Sequence, residues 1–436
     1  MDGPSSPRPT AIAAVSETQP NEAATAIDPP MQAGRSDIVL LLVARGIRGF
    51  GDGFAAIVLP AYLTAIGFGT VEIGIVAAAS LLGSALFTLG VGILAPRYEL
   101  RHLLIAGAAL MAATGVALNV EDLLWIAIVG FIGTVNPSGG DVGMLVPLEH
   151  TMLARGAADH ERTRVFARYS LIGALSTAAG ALAAAFPDVL VTEGVGRIAA
   201  FKLMFCFYGV LGILAAVLYR RLRRSRPEEH HASTPLGPSR VMVYKLAALF
   251  SLDAFAGGFV VQSLLALWLF KHFGMSLSAA SLFFFWTSVL SALSFPLAGW
   301  LARRIGLVNT MVFTHIPSSA CLIVAAFTPN LSVVLGLLLV RAALAQMDVP
   351  TRTSYVMAVV TPAERASAAS VTAVPRGLAS SISPALAGVL FGTAFSGLPL
   401  ILCGSLKIVY DLALLYTCRH VRPPEESPAK APSAGP

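Results

Sequence analysis

Twelve apolar stretches of membrane-crossing length follow one another between residues 38 and 418, and that recurrence leaves few folds open. They lie near 38–65, 72–95, 101–119, 123–147, 165–186, 197–219, 242–270, 276–301, 307–327, 331–355, 366–393 and 397–418, and are numbered spans 1 to 12. A helix needs about 20 predominantly apolar residues to cross the hydrocarbon layer. Once there it must satisfy its own backbone hydrogen bonds. The pattern therefore predicts an all-α membrane protein. Composition agrees, with 56% hydrophobic and only 12% charged residues, where soluble domains carry about 25% charged. At that scarcity the position of each charge says more than the net charge of +6.

Basic residues collect on one side of the predicted topology. With the N-terminus cytoplasmic, the cytoplasmic loops hold Arg97 and Arg101, then Arg155, Arg162 and Arg164, then Arg303, Arg304 and Arg365, and the tail adds Arg419 and Arg422. The opposite side has little beyond Arg197, Lys202 and Lys271. The positive-inside rule then orients the chain as a multi-pass protein of the cell (inner) membrane with both termini cytoplasmic. The longest polar interval, Arg220 to Arg240, carries five arginines between Arg220 and Arg226. Alone it has the look of a nucleic-acid patch. Flanked by membrane spans it reads as a cytoplasmic linker, and no nucleic-acid partner is expected. The expected organisation is a disordered tail over 1–36, a six-helix half over 37–219, the linker over 220–240, a second half over 241–419 and a tail over 420–436.

The two halves repeat each other. Gly53-Phe54 in span 1 corresponds to Gly258-Phe259 in span 7, and the Gly92 to Arg97 segment corresponds to Gly299 to Arg304. Asp141-Val142 corresponds to Asp348-Val349, and Glu161-Arg162 to Glu364-Arg365. All four pairs are offset by slightly more than 200 residues, which is the signature of duplicated transporter halves. On these residues the chain resembles the major facilitator superfamily over about residues 37 to 420. The family's loop signature after its second helix is outlined by Gly92, Leu94, Ala95, Arg97 and Arg101, and again by Gly299, Leu301, Ala302, Arg304 and Gly306. Pro96 and Arg303 stand where the family has an acid, and Glu99 where it has glycine. The segment from Gln346 to Arg376 is similar to a pattern in an efflux-like group of bacterial members. The resemblance implies twelve transmembrane helices in two pseudo-symmetric halves, with spans 1, 4, 7 and 10 lining a central cavity, and a monomer.

Each of those four spans carries an aspartate: Asp52, Asp141, Asp253 and Asp348. A charge at the bilayer centre costs at least about 2.5 kcal/mol on insertion scales, so each calls for a partner or a use. On span 1, Arg45, Arg48 and Asp52 share a face, and Arg48 and Asp52 are one turn apart and can pair. Asp52 reads either as a proton carrier or as half of a static ion pair; the same arginines can instead bind an anion. Asp253 has no base near it in its own span and reads as a protonated acid or a hydrogen-bonded one. Arg341 is a further anion-binding candidate and shares a face with Asp348. By the resemblance, Asp141 and Asp348 are gating residues that meet Arg97 and Arg304 when the inner gate closes. Lys407 and Asp411, four apart on span 12, are expected to pair with each other. His315 reads as a proton relay or as a simply hydrogen-bonded ring. The run Asn136-Pro-Ser-Gly-Gly140 interrupts span 4, and the aromatic run Leu282 to Trp286 is either a wall for a lipophilic solute or a packed, lipid-facing surface.

No GxxxxGK loop is present, so ATP does not drive transport within this chain, and no enzymatic activity, catalytic residue, bound metal or cofactor is expected. The proton gradient is the expected energy source. The function expected from the buried acids and the resemblance is a proton-coupled secondary transporter exporting a small toxic or amphiphilic compound by alternating access. Uptake of a small anion through Arg45, Arg48 and Arg341 competes with it. Metalloid export is a third reading, although Cys206, Cys321, Cys403 and Cys418 fall on spans 6, 9 and 12, which the resemblance places at the periphery. A fourth is a sensor or scaffold that keeps the fold without transporting.

Overall fold

Among the described residues the twelve apolar stretches fold as sixteen helices, because spans 4, 5, 7 and 10 each consist of two segments. In the computed structural model, residues 35–95, 97–139, 143–156, 159–223, 236–361 and 364–418 are described, and their regular structure is helical. Spans 1 to 3 are α1 (Arg35–Ala65), α2 (Thr70–Leu94) and α3 (Leu100–Ala117). Span 4 is α4 (Leu123–Ile132) with α5 (Leu145–Gly156), and span 5 is α6 (Asp159–Ala183) with α7 (Phe186–Thr192). Span 6 is α8 (Arg197–Arg220), and span 7 is α9 (Arg240–Gly258) with α10 (Gln262–Phe273). Spans 8 and 9 are α11 (Leu277–Ile305) and α12 (Leu307–Phe327). Span 10 is α13 (Leu331–Ala345) with α14 (Asp348–Val359), and spans 11 and 12 are α15 (Arg365–Phe391) and α16 (Leu398–Cys418). Among the described residues ten helical stretches, with α6–α7, α9–α10 and α13–α14 each taken as one, are long and apolar enough to cross a membrane, and α4 is a shorter apolar one.

The breaks have local causes. After α4 the Asn136 side chain accepts from the Ser138 N–H at 3.0 Å and its hydroxyl at 2.5 Å. Such an Asx-type bond offers the backbone an alternative to the helix, Pro137 brings no N–H, and Gly139 takes φ +64°. Pro350 sits in the first turn of α14, where a missing N–H is tolerated. Span 7, expected as a continuous helix, instead stops at Gly258 and restarts at Gln262. The two broken spans meet: the Ser263 N–H, at the free N-terminus of α10, donates to the Pro137 carbonyl at 3.0 Å. Irregular backbone at membrane depth is tolerated only where buried or at a cavity, and here each break satisfies part of the other.

The repeated glycines make repeated contacts. A Cβ on Gly53 would strike the Thr177 backbone of α6, and one on Gly258 would strike the Ser380 carbonyl and the Ser383 side chain of α15. Small residues of this kind let helix backbones approach closely in lipid. Thr177 and Ser380 are themselves offset like the Glu161–Glu364 pair.

The hydrophobic core is shared at one end of the bundle and divided at the other. One cluster draws on both repeats, from Phe54, Tyr62 and Phe205 to Leu264, Trp268 and Phe391. The end that bears the basic loops has two separate clusters, one around Leu41, Leu104, Tyr169 and Tyr219, the other around Val243, Met311, Tyr355 and Tyr410. Across the shared end the Asp188 carboxylate of α7 also accepts from Ser278 of α11, N–H at 3.1 Å and hydroxyl at 2.7 Å.

At the basic-loop end, Glu364 fixes the last residues of the linker. Its carboxylate accepts from the hydroxyls of Thr361 and Ser239, each at 2.7 Å, and from the Gly237 N–H. These bonds, Thr361 foremost, hold its acid down to about 2, against about 4.3 for a free glutamate. A depressed acid stabilises the fold above its unfolded pKa, and the contribution is lost as pH falls through the folded one. Hydrogen exchange at Gly237 and Ser239 is therefore expected to stay protected from neutral pH down to about 4.3 and to lose protection toward about 2. Glu364→Ala is expected to abolish the protection at neutral pH.

Candidate functional site

Each repeat pins its broken fourth span to its first with a buried ion pair, and the polarity is reversed between them. In the first half Arg48 of α1 pairs with Glu149 of α5, and both side chains are buried. Tyr169 of α6 and Tyr219 of α8 donate their hydroxyls to the same carboxylate. The Arg48 Nε–H donates to Tyr219 at 3.0 Å, and the Arg45 guanidinium lies 5.2 Å from the Tyr169 ring centroid. In the second half Asp253 of α9 pairs with Arg352 of α14 at 3.1 Å. By the offset of Gly53 to Gly258, Arg48 corresponds to Asp253; by that of Glu161 to Glu364, Glu149 corresponds to Arg352.

The second network is longer. Arg352 also holds Asp348, one turn earlier, at 3.1 Å. Lys407 of α16 donates to Asp253 at 2.6 Å and lies 3.3 Å from His315 Nε2. The other ring nitrogen of His315, Nδ1, sits 3.0 and 3.1 Å from the two Asp411 oxygens. A line of charged and polar groups thus runs from Asp411, fully buried, through His315, Lys407 and Asp253 to Arg352 and Asp348.

That line ends in a cavity of about 890 Å³ between the halves, within the usual range for small-molecule sites. One wall is α2 with the span 4 break, at Ser84, Thr88 and Ser138; the other is built by α9 and by α12 to α16. Four cations, Arg341, Arg352, Arg376 and Lys407, face it against the two carboxylates Asp253 and Asp348. Arg352 and Lys407 are already engaged with those carboxylates. Among the described residues no carboxylate lies within ion-pairing distance of Arg341 or Arg376. Among the described residues no Phe, Tyr or Trp lines the cavity, nor does any of the four cysteines. A separate small cavity, about 40 Å³ and so large enough for water, lies beside Arg48, Asp52, Thr134 and Asn136.

Several expected pairings are replaced. Arg48 turns to Glu149 rather than to Asp52, which instead accepts from the Tyr208 hydroxyl at 3.4 Å. Asp253, expected without a base, has two, because α14 and α16 deliver Arg352 and Lys407. Lys407 and Asp411 do not pair with each other: the lysine goes to Asp253 and the aspartate to His315. Asp348 is satisfied within span 10, by Arg352 rather than by Arg341, since the break at Gln346 and Met347 separates Arg341 from its heptad face. Arg304 lies over the Trp300 ring at 4.5 Å, and Arg97 is exposed in the loop after α2. Neither meets Asp348 in this conformation; Asp141 lies outside the described residues. Leu282 and Trp286 are exposed on the outer face of α11, with Phe283 and Phe284 packed inward.

Glu149 and Arg352 were not singled out from the sequence as site residues, whereas Arg376, beside Pro375 in span 11, reads either as a gating or substrate-contact position or as part of a packed kink. Span 4 was expected to end at 147, which left Glu149 in a loop, whereas α5 carries it into the protein. The signal available was the repeat itself, which aligns Glu149 with Arg352 and so flags both.

A duplicated helical bundle, broken where it surrounds a charged cavity, is the architecture of a multi-pass membrane transporter. The family model described as Major Facilitator Superfamily matches residues 41–261 and 246–435. The chain belongs to that superfamily. It is 24% identical over 419 residues to the uncharacterized membrane protein YJR124C of Saccharomyces cerevisiae, covering 87% of this chain and 93% of that one. Among solved structures it is similar to the nucleoside transporter NupG, with a TM-score of 0.69 at 13% identity over 87% of this chain and 99% of that one. It is also similar to the inward open xylose transporter XylE of E. coli, with a TM-score of 0.68 at 13% identity over 86% and 95%.

Removing one partner of a buried ion pair costs about 3–5 kcal/mol, because the other charge is left uncompensated, while replacing both can be nearly neutral. Glu149→Ala is therefore expected to lower the thermal stability of the purified protein sharply, and Arg48→Met with Glu149→Leu to restore most of it. Melting curves of the two variants in one detergent check this.

Proposed function

We propose that the chain is a secondary transporter that carries a small anion through the central cavity by alternating access. The observation that carries this reading is the pair Arg341 and Arg376, two guanidinium groups at membrane depth whose charge the described residues leave unmatched. An uncompensated charge there is costly. A solute carboxylate, sulfonate or phosphate supplies the missing counter-charge, and the planar guanidinium fork suits such groups.

The lining favours an anion with a compact apolar part: aliphatic side chains such as Leu81, Leu89, Ile93, Val261 and Leu322 lie between the charged groups, and among the described residues no aromatic ring faces the cavity as a wall for a larger lipophilic solute. A metalloid held by thiolates needs converging cysteines, which the lining also lacks. The cavity reaches Gly92, Ile93 and Ala369 near the basic loops, so the positive-inside rule makes it cytoplasm-facing, in the inner membrane with both termini inside. The shared core and the Pro137–Ser263 contact close the other end. Proton coupling fits the ionisable groups buried beside the cavity, and the chain acts as a monomer.

A proteoliposome assay with labelled benzoate, p-toluenesulfonate and glycerol phosphate tests the reading. Uptake of at least one probe by wild type is expected. A hydrogen bond to a charged group contributes about 1.5–3 kcal/mol, so Arg341→Gln and Arg376→Gln should each weaken it by roughly tenfold to a hundredfold, with melting temperatures no lower than that of wild type. Absence of uptake and binding for all anionic probes, with uptake of cationic or lipophilic ones, would overturn it.

A further inference from the structure

We propose that His315 couples the proton to the anion by deciding where Lys407 points; this rests on the anion reading above. The present geometry fixes the neutral tautomer. Lys407 is a donor only, so the nitrogen 3.3 Å from it, Nε2, is the acceptor. The proton then sits on Nδ1, donated to Asp411 at 3.0 Å. The ring borders the solute cavity, with its Nε2 lone pair turned toward a cation and its Nδ1 toward a carboxylate.

Protonation at Nε2 converts that acceptor into a donor and sets imidazolium against ammonium. The nearest carboxylate oxygen for the new N–H is Asp253 Oδ1, at 3.9 Å, the same atom that now holds Lys407 at 2.6 Å. His315 takes that oxygen, and Lys407, which already lines the cavity, turns into it. There the ammonium joins Arg341 and Arg376 opposite the solute. The proton comes from water and no bond other than N–H is made, so the exchange balances. Anion and proton each strengthen the binding of the other, as linkage requires, and the two move in the same direction.

The neighbourhood of His315 contains the groups this exchange needs. From α16 it meets Lys407, Asp411 and the Tyr410 ring, whose centroid is 6.1 Å away. From α9 it meets Asp253. The titratable groups of α13 and α14 are Arg341, Asp348, Arg352 and Tyr355, with Arg352 already anchored to Asp253 and Asp348. From α11 there are only Arg303 and Arg304, at the end next to the start of α12. Asp411 stabilises the imidazolium, and Asp253 passes between two cations without losing both.

The test is binding of benzoate and p-toluenesulfonate, both fully ionised across the range, to the purified full chain between about pH 8 and about pH 6. Wild type is expected to bind about tenfold more tightly at the lower pH, inside the usual range for coupled sites. His315→Gln is expected to bind with an affinity that no longer depends on pH. Asp411→Asn is expected to shift the midpoint to lower pH, which a purely structural role would not do, and it carries the test should His315→Gln melt at room temperature. PH-independent binding by wild type, an unaltered profile in His315→Gln, or an unaltered midpoint in Asp411→Asn overturns the assignment while leaving the anion site standing. No binding of either probe at any pH overturns the anion site, and this assignment with it.

Discussion

A charge buried in the membrane has to find its opposite on another helix, and in this protein that requirement fixes the positions of the interrupted spans. Helix–helix contact in lipid gains nothing from the hydrophobic effect, because the tails are as apolar as the side chains. Packing of small residues and buried polar contacts are what remain. Arg48 with Glu149 ties the second segment of span 4 to span 1, and Asp253 with Arg352 ties the second segment of span 10 to span 7. A segment such as α14, only 12 residues long, could not hold a defined position by its length alone. The ion pair supplies the register that the break removes.

The inversion of polarity has a consequence for the halves. Had the duplication kept the same sign at both sites, like charges would occupy equivalent positions about the pseudo-two-fold axis. With the sign reversed, arginine and aspartate alternate across the bundle. The equivalence of the small-residue contacts, Gly53 on Thr177 and Gly258 on Ser380, shows that backbone packing is the conserved part of the repeat and electrostatics the part that diverged. Divergence is also unequal. Glu149 is enclosed by two tyrosines and an arginine, while the corresponding network in the second half opens on the cavity.

Much of the fold was legible from the sequence because hydrophobic length and basic loops are one-dimensional signals. The repeat was legible for the same reason, through Gly53-Phe54 and Gly258-Phe259. The pairing of charges was not. A carboxylate's partner within its own helix can be read from a spacing of three or four, and that rule suggested Arg48 with Asp52 and Lys407 with Asp411. Both were displaced by stronger partners from other helices, Glu149 and Asp253, whose approach depends on tertiary packing. Asp348 with Arg352 obeys the local spacing and yet was missed, because span 10 read as one continuous helix and the break that turns Arg352 inward is marked locally by Pro350 alone. The Asn136 to Gly140 run, by contrast, announced its break in composition.

The asymmetry between the two networks bears on how such a molecule can move. A closed network resists change, since any new arrangement must first strip the carboxylate of its donors in a medium that offers no substitutes. The Arg48–Glu149 cluster has that character, and its two tyrosines, Tyr169 and Tyr219, belong to the packed core at the basic-loop end of the first half. A network that ends in a cavity can exchange partners with whatever enters, at little cost, because the incoming group replaces the one released. Among the described residues only the second half offers that exchange, through Lys407, Arg341 and Arg376. In the proposed cycle the first half is then a stiff body and the second the half that senses the solute.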